Sequence, residues 1–487
     1  MKKLFSRRSS SLEACAALAL LVLGMVACSS ESRPSQTGTA GDGTAGDSGP
    51  GAAGTTGTAG TAGTAGTAGA AGTMGTAGTT GTGGTVASPG GIFASLLGKA
   101  QTDIDAKVTT AVNRYFGIGT NEASTPTAAT GYRCYYELPQ DSSMGFIWAA
   151  DSDDVRSEGV SYGMMIAVQM NMQTQFDRLW KFAKTYMQVP ASSSLTAWRG
   201  YFIWQGKVAR GSTTSWTATF NTTTGPAPDG DQYFAAALYL ADKRWGSAGA
   251  TNYKQEADTI ATAILHNAAT TSDGRGPIVS ASQNMPVFYP QGASANFTDP
   301  SYHLPAFYEL FAASGPSADA TRWRTVASTS RGFFVTSANT TTGLHPDYAT
   351  FAGAPTTAAA NDGHNNFGFD AWRVVMNMAV DYVWGAVDSR EKTQIEKIQT
   401  FFNSYLGTNN VTQSQFAVNG TNASGGSSTA LTATLAAGSM VSTTSNRTTY
   451  VSNLWNVQQQ SGQYRYYQES VYLLGLLNAA GRFNKSF

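Results

Sequence analysis

The chain has 487 residues, and its charges balance: 31 lysines and arginines stand against 31 aspartates and glutamates, for a formal net charge of zero. Only 13% of residues are charged while 11% are aromatic, and no basic run occurs beyond the N-terminus. Nucleic acid is therefore excluded as a partner. A low-charge, aromatic-rich chain suits stacking on neutral sugar rings, although most of its aromatics will be core.

In chain order, Lys2, Lys3, Arg7 and Arg8 open a targeting segment, and the apolar run from Ala16 to Val26 is short for a transmembrane helix. It ends in Met25-Val26-Ala27-Cys28-Ser29-Ser30, which resembles a bacterial lipobox. That resemblance implies a signal peptide over 1–27 and Cys28 as the lipid anchor. With Ser29 instead of an aspartate, it implies the outer membrane or cell surface. Ordinary cleavage and secretion is the alternative. Residues 28–89 form a tether of Gly, Thr, Ala and Ser, which cannot bury apolar surface and is expected to be disordered. Glycine recurs at every third position from Gly51 to Gly84, but without the prolines that stiffen collagen. A lipid-anchored domain on such a tether could search a polymer around it. Cys15 and Cys28 belong to the targeting segment, so Cys134 has no disulfide partner within the remaining domain.

Residues 90–487 read as one domain. Apolar periodicity predicts about twelve helical stretches, beginning near Phe93, Glu158, Gln173, Gly230, Asn252, Tyr302, Ala318, Phe369, Arg390, Ser428, Asn446 and Arg465. Strand-like alternation is confined to short pieces at Cys134-Tyr135-Tyr136 and Pro286-Val287-Phe288. The reading is all-α. Helices of similar length without linker-like breaks fit a closed ring of helix pairs, although the number alone would also fit an α-solenoid.

Three acidic residues stand at loop-to-helix junctions. Glu158 lies in Ser157-Glu158-Gly159-Val160-Ser161-Tyr162-Gly163-Met164-Met165, at the mouth of an apolar helix. A carboxylate losing solvent there keeps its proton to higher pH, as a group that protonates a leaving sugar oxygen must. The alternative is capping, with Ser157 as N-cap and Glu158 at the positive helix end. Asp229 sits in the turn Gly225-Pro226-Ala227-Pro228-Asp229-Gly230-Asp231, where it could equally be an N-cap. Asp370 sits in Phe367-Gly368-Phe369-Asp370-Ala371-Trp372-Arg373 and could be a structural partner of Arg373. Three such junctions together suggest a shared cleft.

These segments, with Phe297-Thr298-Asp299-Pro300-Ser301-Tyr302-His303 and Tyr464-Arg465-Tyr466-Tyr467, resemble the signature segments of glycoside hydrolase family 8. The resemblance is nearest to its xylan-cleaving branch. It implies an (α/α)6 barrel with a cleft at one end and inverting hydrolysis of β-1,4-xylosidic bonds. Glu158 would be the general acid and Asp370 the general base. Asp229 would contact the −1 sugar, Tyr302 would help to position the attacking water, and Arg373 would keep Asp370 ionised. Trp204 is a stacking platform or a core residue. Asp299 competes for the role of base, but Asp299-Pro300 reads as an N-cap followed by proline, and that structural role is preferred.

The partners so implied are xylan or xylo-oligosaccharide and a membrane lipid, with the chain as a monomer. No cofactor or metal is expected: His266, His303, His345 and His364 lack ligand spacing, and no phosphate loop or dinucleotide fingerprint occurs. The mode of attack is divided. Ser161-Tyr162-Gly163-Met164-Met165 and Thr342-Gly343-Leu344-His345-Pro346-Asp347-Tyr348 resemble members that release xylose from the reducing end, and the reading leans that way. Phe369-Asp370-Ala371-Trp372-Arg373 resembles the endo-xylanases. Exo-acting members carry a cleft-blocking histidine in a loop that here reads Ser424-Gly425-Gly426-Ser427-Ser428-Thr429. A non-catalytic glycan-binding lipoprotein would require loss of an acid or base, and both are present.

Overall fold

The computed structural model describes residues 90–487 except 121–132, 211–215, 220–223, 271–273 and 358–362. Cys28, the signal peptide and the tether lie outside the described residues. No helix among the described residues is long and apolar enough to cross a membrane.

The helices are α1 (Gly91–Leu97), α2 (Gln101–Phe116), α3 (Ser157–Gln169), α4 (Gln173–Phe182), α5 (Pro228–Trp245), α6 (Tyr253–His266), α7 (Pro305–Ser314), α8 (Ala320–Ser337), α9 (Val374–Asp381), α10 (Ser389–Phe402), α11 (Thr429–Gly438), α12 (Arg447–Asn456) and α13 (Arg465–Ala479). Two kinds alternate. The sequence of α3 is apolar all round, and every residue of it except Glu158 is buried. Helices α9 and α11 are buried throughout, as is α5 from Pro228 to Ala241. By contrast, α4, α6, α10 and α12 bury one stripe and expose the rest, as amphipathic surface helices do. The buried series packs α3 on α5, α5 on α7, α7 on α9, α9 on α11, α11 on α13 and α13 on α3. The amphipathic helices pack outside it, α4 on α3, α6 on α5, α8 on α7, α10 on α9 and α12 on α11. Helices rich in apolar residues on every side are stable only when enclosed, each buried Leu, Val or Phe contributing about 1.5–3 kcal/mol relative to exposure.

The all-α expectation needs correction. Strands β1 (Tyr135–Leu138), β2 (Asp141–Ala149), β3 (Asp154–Arg156), β4 (Gln205–Arg210) and β5 (Trp216–Thr219) form an antiparallel sheet in that order. The strand expected at Tyr135 is present. Strand β2 left no alternation to read because Met144 to Ala149 are buried on both faces. The piece at Pro286–Phe288 makes only a single bridge, from Pro286 to Val279. Among helices, α2 was not expected separately, and the one anticipated at Tyr302 starts at Pro305, after a 3-10 turn over Pro300–Tyr302.

The sheet aims the site. Strand β3 runs straight into α3, Arg156 pairs with Gln205, and Ser157 N donates to Trp204 O at 2.9 Å. Trp204 N donates to Gly225 O at 3.0 Å, tying the start of α3 to the turn before α5. A two-stranded ladder, β6 (Phe297–Thr298) with β7 (Ala349–Thr350), joins the segment of Asp299 and Tyr302 to that of Asp347 and Tyr348. The N-terminal ends of α3, α5, α7, α9 and α13 thereby meet, bringing their partly positive backbone N–H groups to one place.

Candidate active site

Glu158, Asp229, Asp370, Arg373, Tyr302 and Trp204 all line one cleft, together with Arg156, Ser157, Ala227, Phe288 and Tyr348. Every site residue expected within the described part of the chain is therefore gathered there.

Arg373, just ahead of α9, is the hub. Its Nη1 donates to Glu158 Oε2 at 3.1 Å, to Asp229 Oδ2 at 2.7 Å and to Tyr162 Oη at 2.7 Å. Its Nη2 donates to Asp370 Oδ1 at 3.0 Å and to Ser301 Oγ at 2.7 Å. Asp299 Oδ2 lies 3.9 Å from Nη2. One guanidinium thus faces four carboxyl groups. They cannot all ionise cheaply in a dry site, so the cluster retains protons.

The physical causes differ by residue. Burial raises the Glu158 carboxyl above its ordinary value; Arg373 opposes that shift and Asp229 adds to it. Burial also raises Asp229, against Arg373. Asp370 is pushed up to about 7, again by burial, with Arg373 pulling the other way. Asp299, wholly buried, is raised well above the carboxylate range by burial and then by the adjacent Asp370. Its Oδ1 accepts from Ser301 N at 2.6 Å, so the expected cap ahead of Pro300 exists. The same carboxyl nevertheless belongs to the acidic cluster around Arg373.

Glu158 is held from two sides. Tyr466 donates its hydroxyl to Oε1 at 2.8 Å, opposite Arg373 on Oε2. When Glu158 is protonated, the tyrosine hydroxyl can turn to accept. Gly159 makes this approach possible: a Cβ there would stand 2.5 Å from the Tyr466 ring. The glycine admits the tyrosine ring. Neither N-cap assignment holds, although Glu158 does stand in the first turn of α3, at its positive end. Arg156, whose side chain makes no capping bond, occupies the N-cap of α3, and Ala227 that of α5. Asp229 instead accepts from Gly230 N at 2.9 Å and from Arg373.

Glu158 and Asp370 sit on opposite nitrogens of one guanidinium. The span of that group and two hydrogen bonds cap the gap between their bonded oxygens at roughly 8 Å. Inverting glycosidases separate their carboxyl groups by about 6.5–9.5 Å to admit a water. Trp204 is 5% exposed on the cleft wall. Phe288 lies parallel to Tyr302, with centroids 6.1 Å apart, and continues to Tyr348 at 4.4 Å.

Several site residues escaped the sequence reading. Tyr466 lay in a quoted segment but was given no role. Phe288, Tyr348 and Arg156 carry no local signal. Asp347 and His364 do not reveal their proximity in sequence, yet His364 Nδ1 is 3.3 Å from Asp347 Oδ2, and both lie beside Asp370. These three residues offer ligand-type atoms within 4.8 Å of one another. The Arg373 guanidinium on Asp370 would repel a cation there, and two backbone N–H groups already fill Asp347 Oδ1, so the donor set fits a metal poorly. His303 is a core histidine, bonded through Nδ1 to Ser330 Oγ at 2.9 Å and through Nε2 to Thr298 Oγ1 at 3.0 Å.

Carboxyl groups paired across an aromatic-walled cleft are the equipment of a glycosidase. The chain belongs to glycosyl hydrolases family 8, an inverting family, whose model matches residues 147–481. It is 35% identical over 353 residues to the reducing-end xylose-releasing exo-oligoxylanase Rex8A of Paenibacillus barcinonensis, covering 72% of this chain and 87% of that one. Endoglucanase C of Ruminiclostridium cellulolyticum is more distant, 27% identical over 74% of this chain and 69% of its own. Among solved structures, a family 8 xylobiose complex from Teredinibacter turnerae superposes with a TM-score of 0.71 at 34% identity, over 81% of this chain and 96% of that one.

Proposed function

We propose that this glycoside hydrolase cleaves β-1,4-xylosidic bonds, with Glu158 as general acid and Asp370 as general base. The carrying observation is that Glu158 alone on α3 is only partly buried, with 16% of its side chain open, and faces a cleft whose other wall holds Asp370. Glu158 gives its proton to the glycosidic oxygen as the bond to the anomeric carbon breaks. Asp370 takes a proton from a water that attacks that carbon from the opposite face. Asp229 contacts the −1 sugar, Tyr302 helps to place the water, and Arg373 keeps Asp370 available as an anion. Trp204 stacks on a sugar ring; its place on the cleft wall and outside the hydrophobic core cluster supports this. The cyclic packing order of the buried helices supports an (α/α)6 barrel as the scaffold.

The identity to Rex8A favours release of xylose from the reducing end. A second reading, endo-attack, is favoured by the loop at Ser424-Gly425-Gly426-Ser427, where small residues stand and Gly425 and Gly426 take positive φ of 83° and 64°. Xylohexaose labelled at its reducing end separates the two. Labelled xylose with unlabelled xylopentaose as first products supports exo-action. A spread of shorter labelled oligosaccharides overturns it. We further propose that Cys28 anchors the enzyme at the outer membrane. A Cys28→Ala variant should lose lipid labelling, and unchanged labelling overturns the anchor.

A further inference from the structure

The segments holding Asp347 and His364 have no part in the reaction as described, yet they are built against Asp370. Asp347 Oδ1 accepts from Gly368 N at 3.1 Å and from Ala371 N at 2.9 Å, one donor on each side of Asp370. It thereby brackets the turn that carries that carboxylate. Its own backbone is fixed by Asp347 N donating to Asn366 O and Tyr348 N donating to His364 O, both at 2.8 Å. Gly368 is required for this: a Cβ there would stand 2.6 Å from Asp347 Oδ2. His364 faces Oδ2 at 3.3 Å, and its ring stacks on Tyr348 with centroids 4.3 Å apart. Asp347 and His364 are 4% and 3% exposed.

A neutral asparagine could accept the same two backbone bonds. A buried carboxylate beside a second one adds repulsion to desolvation, which a purely structural bracket does not require. The imidazole opposite is what answers that charge. We propose that Asp347 and His364 are a positioning pair for Asp370: Asp347 locks the turn that aims its carboxylate, and His364 balances the negative charge beside it. The inference rests on Asp370 being the base. The groups facing Asp370 are Arg373 and His364, which favour its anion, and Asp347, Glu158, Asp229, Asp299 and Tyr467, which oppose it or share its protons.

The test uses the enzyme with His364→Phe, which keeps a ring on Tyr348, and Asp347→Ala, which removes the acceptor for both backbone bonds. In each, kcat on xylotetraose should fall about ten- to hundredfold, as expected for a misplaced catalytic group, while KM changes far less. Loss of the His364 charge should move the acidic limb of kcat/KM to higher pH. Loss of the Asp347 charge should move it to lower pH. Should His364→Phe fail to fold, His364→Gln is measured in its place with the same expectation. Folded variants that keep near wild-type kcat and an unmoved acidic limb overturn the pair, as does a kcat loss that merely tracks lost folded protein. Asp370→Ala is assayed in parallel. If it still hydrolyses xylotetraose, the base assignment fails; if it is inactive while the pair variants behave as wild type, only the pair fails.

Discussion

Tyr466 on α13 donates its hydroxyl to Oε1 of Glu158 on α3 at 2.8 Å, although the two residues are 308 positions apart. The contact is made possible by Gly159, against which the tyrosine ring lies, and the Arg156 guanidinium sits over that ring, 5.7 Å from its centroid. The first turn of α3 is thus shaped around a residue from the last helix. The proton on Glu158 is governed by that residue as well as by Arg373.

Tyr466→Phe should therefore change the pH profile as well as the rate. The tyrosine hydrogen bond lowers the Glu158 carboxyl against the stronger effect of burial. Removing it raises Glu158 further, so the alkaline limb of kcat/KM should move to higher pH. Gly159→Ala should do the same with a loss of stability, because its Cβ displaces the ring. An alkaline limb unmoved in both folded variants would show that Tyr466 does not control the acid.

Glu158→Gln keeps the size of the side chain but removes the transferable proton. Turnover on xylan should fall at least about 10²–10⁴-fold, with aryl glycosides bearing good leaving groups affected less. In the wild type, proton NMR of fresh product should show the α-anomer first. Near wild-type turnover by the variant on xylan would remove Glu158 as the acid.

Asp370→Ala should nearly abolish hydrolysis while oligosaccharide binding persists, since water then has no base. Asp299→Ala is the comparison. It removes the cap on Ser301 and should cost roughly 0.5–2 kcal/mol of stability, with chemistry largely kept in the folded fraction. Calorimetric binding, initial rates and thermal melts of both variants decide the matter. The reverse pattern, a hydrolysing Asp370→Ala and a folded but inactive Asp299→Ala, would exchange their roles.

Far from the cleft, Glu391 on α10 is fully buried and its carboxyl is pushed up to about 10, by burial first and then by Asp381, which is itself paired with Arg331. The folded chain keeps that proton where the unfolded chain has lost it. Stability is therefore complete below about pH 4.5 as far as this group is concerned, and is lost progressively as pH rises toward 10. Glu391→Gln does not titrate, so its melting temperature relative to wild type should rise between pH 5 and pH 9. An unchanged difference across that range would refute the buried proton.

Much of this was legible without a structure because it is local. A carboxylate at the mouth of an apolar stretch, an aspartate in a Pro/Gly turn and another among aromatics marked Glu158, Asp229 and Asp370. The buried helices announced themselves by runs such as Met164 to Val168. Other features depended on tertiary packing. The strands β2 and β3 were missed because burial on both faces erases the alternation that reveals a strand. The neighbours of Arg373, the reach of Tyr466 to Glu158 and the meeting of Asp347 and His364 beside Asp370 are contacts between distant segments. Periodicity records which side of a helix seeks the core, and says nothing of which other segment it finds there. Those pairings are set by how the enclosed helices pack side against side, and by the close approaches that Gly159 and Gly368 permit.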